Sequence, residues 1–201
     1  MRRFFLCLVV ATVLLAAWSL PPIARKHPTM LQVSTVAARP TIPGYERTKF
    51  GAAWATPPQG PCNTRVWLLE RSLSDVQQRA CTLTAGWAKD PYSGVLIGIG
   101  EEHERIEVDH VFPLSAAWDL GAAHWPQELR VRFANDPINL IAVSRTQNQA
   151  KGDQLPSEWL PPKRSSRCWY AGRLAAVAVA YGLPLPEQDL KAMHSQCILP
   201  P

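Results

Sequence analysis

The chain has 201 residues, of which 47% are hydrophobic and 18% are charged. This length favours one compact domain with an N-terminal extension, and the apolar fraction argues against a wholly disordered chain. The formal net charge of +5 suits an anionic partner, although a solvated basic surface explains it equally well. The 19 prolines and 8 tryptophans indicate irregular connections anchored by large aromatic side chains, which is not the pattern of a helical bundle.

The N-terminus has the layout of an export signal. A short positive region at residues 1–3 precedes a predominantly apolar stretch at residues 4–20, and Pro21 follows. We therefore expect residues 1–24 to be a secretory signal peptide, so that the protein is secreted or extracytoplasmic. The alternative is an uncleaved N-terminal anchor that tethers the protein to a membrane, because the apolar stretch approaches the length that spans a bilayer.

The remaining chain divides into a leader and a domain. Residues 25–61 are rich in Pro, Thr and Ala and lack periodicity, which is typical of a leader or linker. Within it, residues 45–54 are expected to be the first ordered part, because their aromatic side chains could dock on the domain. The domain itself is expected to span residues 62–201.

Four cysteines remain once the signal segment is removed: Cys62, Cys81, Cys168 and Cys197. An even number of cysteines in an exported protein indicates disulfide bonds, and four cysteines allow three pairings. Closing a short loop costs the least chain entropy, which favours Cys62–Cys81 and Cys168–Cys197. A zinc site is the competing interpretation, but the chain lacks the Cys-x-x-Cys spacing typical of such sites.

Periodicity and turn residues predict a mixture of helices and strands. A helix capped by Asn63 or Thr64 is expected to run to about Ala80, since apolar residues recur at helical spacing. The Asp90–Gly94 turn is expected to join two strands in a β-hairpin. The expected strands are 81–87, 95–99, 105–111 and 138–143, and the further helices are 115–121, 125–134, 145–152, 168–181 and 186–197.

An Asp-His pair, Asp109 and His110, ends the apolar strand that precedes Pro113. Neighbouring strand residues point to opposite faces, so a break in the strand is required for both side chains to reach one site. Asn148 lies on a later helix. Lys151 lies one turn beyond Asn148, where we expect it to contact a phosphate.

The side chains of Asp109, His110 and Asn148 suit metal-assisted hydrolysis of a phosphodiester. A carboxylate and an amide oxygen are hard ligands of the kind that Mg²⁺ binds while it keeps several waters. Bound Mg²⁺ stabilises the leaving oxygen and the charge that develops around phosphorus. A neutral imidazole can activate water near neutral pH.

In their joint order and spacing, these residues resemble the HNH endonucleases, also called His-Me finger or ββα-metal nucleases. The matching pieces are Asp109-His110-Val111-Phe112-Pro113, Asn139-Leu140 and Asn148-x-x-Lys151. The chain is similar to exported HNH-family proteins of actinobacterial type and to the nuclease domain of GmrSD-type restriction enzymes. Further matching stretches are Cys62-Asn63-Thr64-Arg65, Asp90-Pro91-Tyr92-Ser93-Gly94, Phe133-Ala134-Asn135-Asp136-Pro137, Asn148-Gln149-Ala150-Lys151-Gly152-Asp153 and Trp159-Leu160-Pro161-Pro162.

The resemblance implies an α+β fold, with a ββα-metal core, an added β-hairpin, flanking helices and two disulfides. It implies that His110 is the general base, and that Asp109 and Asn148 are the metal ligands. Asn139 is implied to orient the base and to brace the turn between the two strands. Lys151 is similar to a phosphate-contacting position.

Other residues near the motif have less definite roles. Arg145 is a second candidate phosphate contact. Glu107 shares the strand face of Asp109, so it either supports the metal ligands or is simply an exposed carboxylate. His124 lies in the insert between the motif halves and could reach a phosphate, although a surface histidine is the commoner case. At Ser72 the chain departs from such relatives, whose expected Arg-Asp-Leu pattern has an acidic residue at this position.

The resemblance implies a metal-dependent exported endonuclease that hydrolyses DNA with low sequence specificity. Mg²⁺ is the expected cofactor, with Mn²⁺ as the alternative. DNA is favoured over RNA as the nucleic-acid substrate, and the protein is expected to be a monomer. Two hypotheses compete: a non-catalytic exported nucleic-acid-binding module on the same fold, and a purely structural exported domain. The presence together of Asp109, His110 and Asn148 argues against both, because neither needs all three.

Overall fold

The computed structural model describes residues 28–57 and 60–197, together with positions 5, 9 and 12. It has the mixed α+β architecture expected from the sequence. The α-helices of the described chain are α1 (Thr64–Ser72), α2 (Leu114–Asp119), α3 (Gln127–Asn135), α4 (Arg145–Lys151), α5 (Arg164–Tyr181) and α6 (Glu187–Ser195). Its strands are β1 (Thr35–Val36), β2 (Ser74–Arg79), β3 (Thr82–Lys89), β4 (Leu96–Ile99), β5 (Glu104–His110), β6 (Leu140–Ser144) and β7 (Leu185–Pro186). Short 3-10 helices lie at Pro28–Gln32, Arg47–Phe50, Ala122–His124 and Pro137–Asn139.

Strands β2 to β6 form the larger sheet, in the order β2-β3-β4-β5-β6. β3 and β4 pair antiparallel, with Lys89 opposite Leu96, which confirms the hairpin predicted around the Asp90–Gly94 turn. β5 and β6 also pair antiparallel, with His110 opposite Leu140. β1 and β7 form a separate two-stranded parallel sheet.

Helix α1 ends at Ser72, so the prediction of a helix to about Ala80 is wrong. Leu73 is extended, and the residues after it form β2, which pairs antiparallel with β3. Ala80 turns the chain between these strands with a positive φ of 50°. Apolar positions such as Val76 fit a half-exposed strand as well as a helix, and pairing with β3 decides between the two.

Two disulfides have the predicted pairing. Cys62 bonds to Cys81 with a Cα–Cα distance of 5.3 Å, and Cys168 bonds to Cys197 with a Cα–Cα distance of 4.8 Å. The first joins the start of α1 to the turn between β2 and β3. The second joins the first turns of α5 to the chain just after α6. Each bond therefore fixes the position of a helix relative to its neighbours.

The buried apolar side chains form two clusters. The larger includes Tyr92, Phe112, Phe133 and Tyr170, which are fully buried, and it packs around α5. The smaller joins α1 to the sheet and includes Leu69. The sheet end that carries β5 and β6 contributes to both clusters, which holds the candidate site in a rigid setting.

Residues 28–57, which the sequence predicted as part of a leader, lie against the domain. Met30 and Phe50 are buried in the larger apolar cluster. β1 pairs with β7, and Arg39 forms ion pairs with carboxylates of the domain. This segment therefore shares the core of the domain that follows it.

The predicted signal peptide, residues 1–24, lies outside the described residues except for positions 5, 9 and 12. In the part of the chain that the structure describes, no helix is both long and apolar enough to cross a membrane. The choice between a cleaved signal and an anchor stays a prediction.

Candidate active site

Strands β5 and β6 and helix α4 form a strand–strand–helix unit. α4 begins directly after β6, where the Ser144 hydroxyl caps it by accepting a hydrogen bond from the Gln147 amide. The helix packs against both strands. Glu107 and Asp109 share one face of β5, and each contacts a side chain of α4. The unit thus brings the end of β5 against the helix, as the motif order predicts.

A buried ion pair joins Asp109 to Lys151. Asp109 is 5% exposed and Lys151 has no exposure. The Lys151 ammonium donates to Asp109 Oδ1 and to the His110 carbonyl, both at 2.9 Å. Tyr92 donates its hydroxyl to Asp109 Oδ2 at 2.8 Å. Lys151, predicted to contact a substrate phosphate, lies instead beneath the surface and neutralises Asp109.

The protonation of Asp109 is set by opposing effects. Burial raises the pKa of its carboxyl group, while the Lys151 ammonium and the Tyr92 hydroxyl lower it. Burial also raises the pKa of Tyr92 well above its usual range, and the neighbouring carboxylate adds to that rise. Tyr92 therefore stays protonated and keeps donating to Asp109.

His110 is held as a neutral imidazole. Its Nε2 bonds to the Ala134 carbonyl at 2.9 Å. A carbonyl can only accept, so the proton is assigned to Nε2 and the lone pair to Nδ1. Burial is the main cause that lowers the pKa of His110 to about 3; the positive charges of Arg47 and Lys151 contribute to this fall, and the hydrogen bond to the Ala134 carbonyl opposes it. Nδ1 is thus the atom of this ring that can take a proton from water.

The strand break expected near Pro113 is not what brings Asp109 and His110 to one site. β5 runs through both residues, with Asp109 opposite Ile141 and His110 opposite Leu140. Their side chains leave the strand on opposite faces. Both residues nevertheless line the same groove, and His110 is the last residue of the strand.

Asn139 forms hydrogen bonds with the backbone directly after His110. It is fully buried, and its Oδ1 accepts a hydrogen bond from the Phe112 amide at 2.7 Å. Its Nδ2 donates to the Phe112 carbonyl at 3.3 Å, and its own carbonyl accepts from the Val111 amide at 2.8 Å. These contacts are those of a residue that braces the connection between β5 and β6.

Asn148 is oriented by Glu107. Its Nδ2 donates to Glu107 Oε2 at 2.7 Å, which leaves the amide oxygen Oδ1 without a hydrogen bond in the described part of the chain. Arg145 approaches the other oxygen of Glu107 at 3.8 Å and is largely exposed. Glu107 therefore contacts both helix residues and fixes which atom of Asn148 is available to a ligand.

His124 lies apart from these residues. It is exposed at the end of the 3-10 helix Ala122–His124. It does not line the opening at His110. The structure therefore does not bring it together with the other candidate residues.

A groove of about 480 Å³ joins the candidate residues. Its lining includes Asp109, His110 and Asn148, and we call it the His110 groove. Arg47, which belongs to the segment that precedes the domain, lines the same groove. A second pocket of about 240 Å³ also borders His110, and its lining includes Arg47 and Trp54.

Three residues of the site were not assigned a role from the sequence. Tyr92 lies in a segment that carries a strong turn signal, which hid its contact with Asp109. Arg47 and Trp54 lie in the stretch 45–54, where aromatic residues predicted docking but no chemical role. Trp54 stacks on His110, and the positive charge of Arg47 acts on it, so docking brings these side chains to the site.

The oxygens of Asp109 and Asn148 fit a hydrated divalent cation better than a closed metal cage. Each Asp109 oxygen accepts one hydrogen bond and keeps a second lone pair, and Asn148 Oδ1 is available. Within residues 28–57 and 60–197, no three His, Cys, Asp or Glu side chains are grouped to hold a metal. Two protein oxygens suit Mg²⁺, which keeps several waters. The nearby Lys151 ammonium opposes cation binding.

Comparison with known proteins identifies a family and a similar protein. Residues 64–193 match the family described as GmrSD restriction endonucleases, C-terminal domain. A protein of Arthroderma benhamiae, named an uncharacterized secreted protein, is 37% identical over 204 residues, which cover 97% of this chain and 98% of that protein. No solved structure matches the chain. The family match contains β5, β6 and α4 but not residues 28–57.

Proposed function

Because the chain belongs to the family of GmrSD restriction endonuclease C-terminal domains, we propose that it is a metal-dependent HNH-type endonuclease acting on DNA. The family makes it a nuclease-related domain with a nucleic acid as the implied substrate. The observation that carries the finer proposal is the His110 groove, where a neutral imidazole, a carboxylate and an available amide oxygen line one opening.

His110 is the general base of this proposal. Nδ1 takes a proton from water, and the water oxygen attacks phosphorus as the bond to the leaving oxygen breaks. The Ala134 carbonyl holds the Nε2–H tautomer that this step requires. The pKa of about 3 belongs to the groove without substrate. A phosphate anion beside the ring stabilises its protonated form and raises that pKa toward the working range.

Asp109 and Asn148 are the residues that would hold the cation. When bound, Mg²⁺ or Mn²⁺ supplies positive charge that stabilises the leaving oxygen. The Lys151 ammonium lowers the pKa of Asp109 against the larger effect of burial, and Glu107 binds the Asn148 amide nitrogen, which leaves the amide oxygen available. Asn139 holds the chain after His110 in place, and the exposed Arg145 can contact a flanking phosphate.

Further features of the proposal rest on the whole chain. Two disulfides suit an oxidising compartment, and the relative from Arthroderma benhamiae is named a secreted protein, which supports export. The sequence contains no recognisable base-reading motif, so we propose low sequence specificity. The protein is proposed to act as a monomer.

A plasmid assay tests the proposal. The chain from residue 25 onward, folded under oxidising conditions, is incubated with plasmid DNA and with structured RNA in Mg²⁺ or Mn²⁺. We expect nicking of DNA that EDTA abolishes and that His110→Ala reduces at least about 100-fold. If the protein cleaves RNA and leaves DNA intact, RNA replaces DNA as the proposed substrate. Metal-independent cleavage, or cleavage that survives His110→Ala, would overturn the mechanism.

One observation favours a second function, a nucleic-acid-binding module that does not cut. The Asp109 carboxylate already has a buried cationic partner in Lys151, so it is neutralised without a metal. In that case the wild-type protein retains DNA in a gel-shift experiment and leaves it intact across several divalent metals.

A further inference from the structure

Arg47 lies at the candidate site although it precedes the matched family region. It lines both the His110 groove and the second pocket beside His110. The family match begins at residue 64. A charged side chain at the site therefore comes from a segment outside the matched domain.

The backbone around Arg47 is held on both sides. Tyr45 makes an edge contact with Trp118, with ring centroids 6.3 Å apart, and Phe50 is buried. Further along, the Ala55 amide donates to Asn135 Oδ1 at 2.9 Å. Arg47 itself begins the 3-10 helix Arg47–Phe50. The segment thus presents Arg47 from a fixed backbone and not from a loose tether.

The Arg47 side chain is nevertheless free of protein partners. It is exposed, and no hydrogen bond or ion pair joins its guanidinium to any described residue. Two other arginines near the core of the domain are engaged by protein atoms. Arg39 binds Asp119 and Asp153, and Arg173 donates to three backbone carbonyls. An anchored segment with an unengaged guanidinium at a groove leaves that group available to a ligand.

The charges of the groove favour an anion at Arg47. Both carboxylates in the groove lining have cationic partners, Asp109 in Lys151 and Asp153 in Arg39. Within the described lining, Arg47 is the charged side chain without an ion pair. A guanidinium offers planar paired donors that match two oxygens of a phosphate.

We propose that Arg47 is a substrate-contacting residue, whose guanidinium binds the phosphate backbone of the nucleic acid held over His110. This inference rests on the proposed function for the identity of the anion. The domain and the preceding segment then form one active site, and the segment 45–54 supplies its phosphate contact.

Duplex binding in EDTA tests this inference without requiring cleavage. The affinity for a short DNA duplex is measured against salt concentration for wild type, Arg47→Gln and Arg79→Gln. Arg79 is the matched control, since it is exposed on β2 at the other edge of the sheet. We expect Arg47→Gln to lower the slope of log affinity against log salt by about 1, while Arg79→Gln keeps the wild-type slope.

Cleavage gives the second readout. Arg47→Gln is expected to reduce the cleavage rate about 100-fold, with Arg47→Lys in between because it keeps the charge without the paired donors. Melting curves that match wild type separate this loss from misfolding. If wild type cuts and Arg47→Gln matches it in slope and rate, the inference fails while the nuclease proposal stands. If wild type does not cut but Arg47→Gln lowers the slope, the nuclease proposal fails and the phosphate contact stands. A wild type that neither binds nor cuts overturns both.

Discussion

The indole of Trp54 stacks on the imidazole of His110, with ring centroids 5.6 Å apart and planes within 6° of parallel. Trp54 precedes the matched family region, and His110 lies within it. The contact covers one face of the imidazole and joins the N-terminal segment to the candidate base. The burial that lowers the pKa of His110 therefore depends on residues outside the domain.

Replacing Trp54 tests that dependence. In Trp54→Ala, water reaches the ring, so we expect the pKa of His110 to rise from about 3 toward 6.5. The half-buried indole contributes about 2 kcal/mol to the free energy of unfolding, which is also lost. NMR titration of the imidazole and urea unfolding measure the two effects. Trp54→Phe, which keeps a stacking ring, serves as the control. An unchanged pKa in Trp54→Ala would show that other groups bury His110.

The stability of the protein is expected to fall as the pH drops below about 6.5. Folded His110 stays neutral down to a pKa of about 3, whereas the unfolded chain takes up a proton near 6.5. The unfolded state therefore binds more protons between these values, and acid favours it by at most about 1.4 kcal/mol per pH unit. Asp109 acts in the opposite direction at lower pH, because its folded pKa is raised.

Urea unfolding at a series of pH values measures this dependence. The variant His110→Gln lacks the titrating ring but can still donate to the Ala134 carbonyl, so its stability is expected to change less over the same range. If the free energy of unfolding changes equally with pH in the variant and in the wild type, His110 does not control the loss of stability in acid.

Removing the partner of Asp109 is expected to destabilise the fold strongly. Lys151→Met leaves a buried carboxylate without its cation, at a cost of about 3–5 kcal/mol in the free energy of unfolding. Adding Asp109→Asn to this variant is expected to recover part of the loss, because the remaining buried group is then neutral. Arg145→Met is the matched control, since its exposed contact with Glu107 contributes less than about 1 kcal/mol. Chemical denaturation measures the free energy of unfolding of all four proteins. If Lys151→Met loses no more stability than Arg145→Met, the buried ion pair does not stabilise the fold as proposed.

Replacing Asn139 is expected to lower both the stability of the fold and the cleavage activity. Asn139→Ala leaves the buried Phe112 amide without an acceptor, which costs about 1–3 kcal/mol and loosens the chain after His110. We expect cleavage to fall together with the melting temperature. His124→Ala changes an exposed residue outside the groove, so its stability is expected to stay within about 0.5 kcal/mol of wild type. If Asn139→Ala cleaves DNA at the wild-type rate, Asn139 has no role at the candidate site.

The order of the motif residues, the β3–β4 hairpin and the disulfide pairing could be predicted from the sequence. Turn residues predicted the β3–β4 hairpin, and short loop closure favoured the disulfides Cys62–Cys81 and Cys168–Cys197, all of which the structure contains. Apolar and turn patterns predicted strands at 105–111 and 138–143 and a helix at 145–152, which correspond to β5, β6 and α4. These features depend on residues close together in the chain or on a fixed motif order, which a sequence displays directly.

Only the tertiary structure decided which side chains face one another. Local periodicity could not distinguish β2 from a continued α1, because the pairing with β3 that selects the strand is not a local property. Lys151 was predicted to contact a phosphate, yet it is buried and donates to Asp109 and to the His110 carbonyl, more than forty positions away in the chain. Trp54 and Arg47 lie beside His110 because their segment is anchored to the domain, through Phe50 in the core and the Ala55 amide on Asn135. Burial and charge pairing arise from contacts distant in sequence, and these contacts determine the protonation and accessibility of the candidate site.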